Sequence, residues 1–167
     1  MSKILISGYY GFANAGDEAM LTAIIESLRQ VEKNVELTVL SGNPEDTAAK
    51  HQVCSVYRFN PLGIIRAMKD SELIISGGGS LLQDVTSKRS LLYYLSIIGL
   101  GKFFGKKVML FAQGIGPIRA KWARKLTSLV CNEADLITVR DSESAAELIE
   151  MGVKPEKITV TADSVLS

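Results

Sequence analysis

Asp17 and Glu18 stand side by side near the end of the stretch SGYYGFANAGDEAML, residues 7–21, where a helix-like pattern begins. Gly8, Gly11 and Gly16 are spread through the stretch, and Asn14 lies among them. Glycines after a strand let a ligand approach bare backbone N–H groups, and a carboxylate beside them can take a proton from a hydroxyl. The stretch has no P-loop lysine. Its G-x-x-G-x-x-x-x-G spacing is also not the G-x-G-x-x-G of a dinucleotide site. A plainer role is open to both acids, since either would stabilise the positive end of a helix by ~0.3–1 kcal/mol. Asn14 equally suits a turn.

Three further loops carry similar chemistry. LIISGGGSLLQD offers Gly77, Gly78, Gly79, Ser80, Gln83 and Asp84; FAQGIGP offers Gln113 and Gly114; VRD offers Arg140 and Asp141. Arg140 has the planar fork that grips a carboxylate or phosphate, and it could instead pair with Asp141. Asp141 also fits the N-cap of the helix that follows. Gln113 ends an apolar strand, so its amide needs partners. His51, the single histidine, follows a polar helix away from these loops and is expected at the surface. Cys54 and Cys131 lack metal-type spacing and read as reduced core residues of a cytoplasmic protein. No histidine-bearing metal motif and no G-x-S-x-G elbow occurs, so neither a metal nor a redox cofactor is expected.

These loops need a scaffold, and the hydrophobic pattern supplies one. KILIS (3–7), VELTVL (35–40), a weak run near 53–57, ELIIS (72–76), KVMLFAQ (107–113), DLITV (135–139) and KITVTAD (157–163) read as strands. Helical spacing joins Leu21, Ile24, Ile25, Leu28 and Val31, and places Trp122, Leu126, Leu129 and Val130 on one side of a later helix. Pro44 and Asn60-Pro61 mark helix starts, and Gly152 with Pro155 marks a stop. Apolar strands alternating with helices predict a doubly wound α/β domain, a mainly parallel sheet with helices on both faces. In such a fold the loops after the strands share one edge, where ligands bind.

The bulk numbers agree with one domain over residues 1–167. Hydrophobic residues make up 47% and charged residues 22%, and the net charge of +1 leaves no nucleic-acid footprint. The N-terminal apolar run is too short for a signal peptide. LLYYLSIIGLGKFFG (91–105) falls short of the ~20 residues of a membrane span and reads as a buried crossover helix. Lys102, Lys106 and Lys107 beside it would also suit a membrane surface.

Taken in order, ISGYYGFANAGDEAML, LIISGGGSLLQD, FAQGIGP and ITVRDSESAAELIEMGV resemble the polysaccharide pyruvyl transferase family, and most of all its bacterial CsaB type, from Lys3 to about Asp163. The resemblance implies one Rossmann-like half of a GT-B-type fold. The whole enzyme would move pyruvate from phosphoenolpyruvate to a cell-wall polysaccharide sugar as a cyclic ketal. It further implies that the chain is the N-terminal, sugar-side half, inactive without a C-terminal domain that supplies much of the donor site. Ser164 stands where family members commonly have proline. Asp17, then Glu18, would be the general base. Asn14, Gln83, Asp84 and Gln113 would meet sugar hydroxyls, the glycine loops would supply backbone donors, and Arg140 would bind phosphoenolpyruvate or order the loops. A lipid-linked acceptor would bring the protein to the inner membrane face. The alternatives are half of a GT-B glycosyltransferase and a glycan- or nucleotide-binding module without turnover.

Overall fold

Short apolar runs separated by capped helices produce a parallel sheet in the computed structural model, which describes residues 2–77, 79–85 and 87–161, without the side chain of Ser80. The strands are β1 (Lys3–Ser7), β2 (Glu36–Ser41), β3 (Cys54–Tyr57), β4 (Leu73–Ser76), β5 (Gly79–Leu82), β6 (Lys107–Ile115), β7 (Leu136–Val139) and β8 (Ile158–Val160). Between them run α1 (Ala15–Val31), α2 (Pro44–His51), α3 (Pro61–Asp70), α4 (Lys88–Phe103), α5 (Lys121–Glu133) and α6 (Ser142–Met151). The sheet order is β3-β2-β1-β4-β6-β7-β8, and β5 pairs with the far end of β6. From β1 the chain winds outward to β3, then returns to the other side of β1 and winds outward to β8. The winding reverses between β1 and β4, and that crevice is where doubly wound sheets hold ligands.

Residue alternation along β1 shows why the sheet is covered twice. Ile4 and Ile6 join Leu21, Ile24 and Ile25 of α1 in one apolar cluster, whereas Leu5 joins Ile64 and Met68 of α3 and Leu95 and Ile98 of α4 in another. Helix starts follow the predicted chemistry. Asn43, Asn60 and Asp141 accept from the backbone N–H three residues on, with Pro44 and Pro61 in the first turns, and Gly152 closes α6 in the left-handed region at φ 113°.

Several expectations are corrected. The predicted strand over KVMLFAQ continues to Ile115, because GSLL, read as loop, forms β5 and gives β6 a partner there through Gly79↔Gln113 and Leu82↔Ile115. The buried face of α5 carries Ala123, Thr127, Ser128 and Cys131, while Trp122 and Leu129 are exposed. Small residues fit there because α5 packs against both α4 and α6. Val31 is exposed at the end of α1, and Cys54 is exposed rather than in the core; both cysteines are free. The crossover helix is found as expected, with Leu91, Leu95, Ile97 and Ile98 buried. Its flanking Lys102 pairs with Asp135 at 2.8 Å, and Lys106 Nζ donates to the Lys69 carbonyl at 3.0 Å. No helix among the described residues is long and apolar enough to cross a membrane. Asp163 and Ser164 lie outside the described residues.

Candidate functional site

The loops after β1 and β4 flank the crevice and are locked together. Gly77 N–H donates to the Ser7 carbonyl at 2.7 Å. Tyr10, 1% exposed, folds back so that its ring covers Gly8 and its hydroxyl sits on Gly77, where an added Cβ would collide with it. Gly11, at φ 85°, packs against Ser41 and the backbone of Asn43, and Phe12 covers Gly42. The room expected for a ligand at these glycines is therefore taken by the protein's own side chains. Gly16 meets only Asn14 Oδ1, at 3.4 Å from an added Cβ.

Asn14 does the capping at the start of α1: its Oδ1 accepts the Asp17 N–H at 3.1 Å. The Asp17 carboxylate is thereby spared that task. It is half-buried and faces Gly79, whose missing Cβ would stand 3.0 Å from Asp17 Oδ1. Burial, reinforced by the neighbouring Glu18 charge, holds the Asp17 carboxyl above the usual carboxylate range. Glu18 is engaged differently, with Oε2 accepting the Gly11 N–H at 3.3 Å and Oε1 lying 3.4 Å from His51 Nε2. His51 is therefore not a surface residue remote from the loops, because α2 carries its ring under the first glycine loop. Beside this pair a groove of about 520 Å³ runs between α1 and the end of α2, lined by Glu18, Glu26, Arg29, Lys50 and His51 among others.

On the β6 side, Gln113 is fully buried. Its Nε2 donates to the carbonyls of Ser76 and Gly77 at 2.9 and 2.7 Å, so this amide stitches the ends of β4 and β6 together. The turn is prepared by Ala112, which takes φ 51° where the β6–β7 register shifts. Arg140 lies over Gly114, where a Cβ would collide with its guanidinium, and its Nε is 3.8 Å from Asp141 Oδ2. Asp141 caps α6 by accepting the Ser144 N–H at 2.7 Å. Hydrogen bonds from the Ser144 hydroxyl and then its N–H hold the Asp141 carboxyl below the usual range. Asp84 accepts from the N–H groups of Arg119 and Ala120, at 3.0 and 3.1 Å, ordering the loop into α5. Gln83 packs on Gly116. A groove of about 540 Å³ follows, where Arg119, Arg124 and Arg140 face Asp141, Glu143 and Glu147. Gly78 and the Ser80 side chain, also expected at the site, lie outside the described residues.

The crevice thus gathers Asp17, Gly77, Gly79 and Gln113, whereas Asp84, Arg140 and Asp141 stand on the β6–β7 side. Among the described residues no three His, Cys, Asp or Glu side chains are placed to share a metal ion. Sequence reasoning passed over Arg58, which follows β3 and is buried among aromatic rings. The signal was its place between Tyr57 and Phe59 at a strand end. Among the described residues, the buried polar atoms Ser7 Oγ, Tyr10 OH, Arg58 Nε and Gln113 Oε1, left without a partner, lie at this edge or against it.

Comparison with solved structures shows the same fold at low identity. Anabaena HepE in complex with UDP and glucose superposes with a TM-score of 0.66 at 13% identity, over 98% of this chain and 44% of that one. Staphylococcus aureus MnaA with UDP gives 0.56 at 16%, over 98% and 44%. UDP-GlcNAc 2-epimerase from Neisseria meningitidis, bound to UDP-GlcNAc, gives 0.58 at 14%, over 99% and 47%. The chain spans less than half the length of each, and the likeness establishes a Rossmann-like unit of the GT-B kind. No curated protein matches by sequence. A profile of the polysaccharide pyruvyl transferase family matches residues 14–167.

Proposed function

We propose, from the premise that the chain belongs to the polysaccharide pyruvyl transferase family, that it is the sugar-side half of an enzyme making a cyclic pyruvate ketal from phosphoenolpyruvate. In that reaction one sugar hydroxyl adds to the enol carbon bearing phosphate, and the methylene takes a proton to become a methyl group. A second hydroxyl then displaces phosphate, which leaves with the remaining proton. Each addition needs a hydroxyl proton removed. The observation that carries the reading is Asp17, a half-buried carboxylate relieved of capping by Asn14 and facing Gly79 in the crevice. A carboxyl held above its ordinary range is a better proton acceptor near neutral pH.

Glu18, tied to Gly11 and His51, supports the loop and is second in line as base. Asn14, Gln83, Asp84 and Gln113 border the sugar path, and Arg140 faces the donor carboxylate or phosphate. The chain alone is inactive on this reading, because the donor site is completed by a second domain. The acceptor is a cell-wall polysaccharide sugar, met in the cytoplasm; a lipid-linked form would draw the enzyme to the inner membrane face. No metal or redox cofactor takes part.

The test is Asp17→Asn in the full-length enzyme, with pyruvate transfer followed by phosphate release. Turnover should fall ~10²–10⁴-fold with the fold intact; near-normal turnover removes Asp17 from the base role. The UDP complexes of the structural neighbours favour a second reading, half of a nucleotide-sugar glycosyltransferase. Backbone amide shifts produced by UDP but not by phosphoenolpyruvate would select it.

A further inference from the structure

Arg58 presents a charge whose solvation is unfinished. It is 6% exposed, and its backbone is pinned: its N–H donates to the Ser41 carbonyl at 3.0 Å, and its carbonyl accepts the Tyr93 hydroxyl at 2.7 Å. The guanidinium carbon lies 4.6 Å from the Tyr93 ring centre, 4.8 Å from Phe59, 5.2 Å from Phe12, 5.7 Å from Tyr94 and 5.8 Å from Tyr9. Ring faces attract the cation. They do not satisfy the in-plane Nε–H, which requires an oxygen acceptor.

Among the described residues no carboxylate forms an ion pair with Arg58. Its buried Nε has no hydrogen-bond partner among the described residues, and neither does the buried Tyr10 hydroxyl, whereas the Tyr93 and Tyr94 hydroxyls lie within reach of the guanidinium. Buried cations are ordinarily paired, since an unpaired one forfeits its hydration for nothing. A buried guanidinium with no carboxylate beside it and its Nε–H unmet suits an oxyanion. The site also adjoins the crevice, since Tyr9 and Phe12, whose rings lie against the guanidinium, belong to the loop that leads to Asp17. Above it, Tyr9 and Phe12 stack at 4.3 Å between centroids and remain 40% and 43% exposed, an apolar platform on the loop leading to Asp17.

We propose that Arg58 is an anion subsite that takes the phosphate or carboxylate of a sugar ligand whose ring rests on Tyr9 and Phe12. The sugar part rests on the proposed function; the anion part does not. The ligand class is a sugar phosphate or a uronic acid, anchored on the β3 side with its hydroxyls directed to the crevice.

The Arg58 Nε–H resonance reports this directly in the wild-type chain, titrated with glucose 1-phosphate, glucuronate and glucose. The charged sugars should shift it and slow its exchange with water, and glucose should leave it in place. The stronger of the two charged probes identifies phosphate or carboxylate as the anion. Arg58→Lys, which keeps the charge and loses the fork, should weaken that probe tenfold or more, by about 1.4 kcal/mol or above. No shift with either charged sugar at ~10 mM, or an equal shift with glucose, overturns the proposal. An inactive Asp17→Asn enzyme, or an active one, leaves this readout unchanged, so the two ideas fail separately.

Discussion

At the residue scale, two aspartates at helix starts behave in opposite ways. Asp141 caps α6, and the Ser144 hydroxyl and N–H that it accepts lower its proton affinity. Its contribution to stability is present above the ordinary aspartate range and is lost as pH falls through the lowered folded value. Asp141→Ala should therefore cost about 1 kcal/mol in urea unfolding at pH 7, and much less in acid. Asp17 is not a cap, and burial raises its proton affinity. The unfolded chain releases that proton at lower pH than the folded one. Folding thus loses stability as pH rises from the unfolded value through the folded value. Asp17→Asn should melt at the same temperature as the wild type or higher at pH 7, with any gain vanishing in acid. A clearly lower melting temperature at pH 7 would mean that the carboxylate stabilises the helix after all.

At the element scale, the first and second glycine loops act as one unit through Tyr10. Gly77 has no room for a methyl group because the Tyr10 hydroxyl occupies the space, with Ile24 and the Ser7 carbonyl close behind. Gly77→Ala should destabilise by ~1–3 kcal/mol through overpacking. Tyr10→Phe removes a hydroxyl that has no partner and should cost little by itself. In the double variant the collision is relieved, so part of the Gly77→Ala loss should return, a coupling of ~0.5–3 kcal/mol. Strictly additive losses in chemical denaturation would show that the loops are not joined in this way. The same elements explain β5. Its four residues form a strand because β6 runs on past Gln113 and offers them an edge.

At the scale of the whole molecule, burial separates two chemically identical thiols. Cys54 is exposed on β3, whereas Cys131 lies on the buried face of α5, where burial pushes its pKa up to about 12. A thiol reagent at pH 8 should modify Cys54 in the folded chain and reach Cys131 only after unfolding. Equal rates for the two would contradict the packing of α5 between α4 and α6. The sheet order carries a further consequence, for it opens the crevice between β1 and β4 along the carboxyl edge, where doubly wound sheets hold ligands.

Much of this protein was legible in its sequence. Alternating apolar strands and capped helices specify a doubly wound parallel sheet, because local propensity, caps and burial on both faces agree along the chain. The ordered motifs carried the family, and Asn60, Pro44, Asp141 and Gly152 marked helix ends through chemistry that acts within a few residues. Tertiary structure decided what fills each glycine gap, which face of α5 turns inward and what Gln113 holds. It also brought His51 to Glu18 and enclosed Arg58 in aromatic rings. These facts depend on contacts between residues tens of positions apart, such as Tyr93 with Arg58 and Gln113 with Ser76. Spacing along a chain encodes the period of a helix or strand, and the partner across a crevice is set only when the sheet closes the distance.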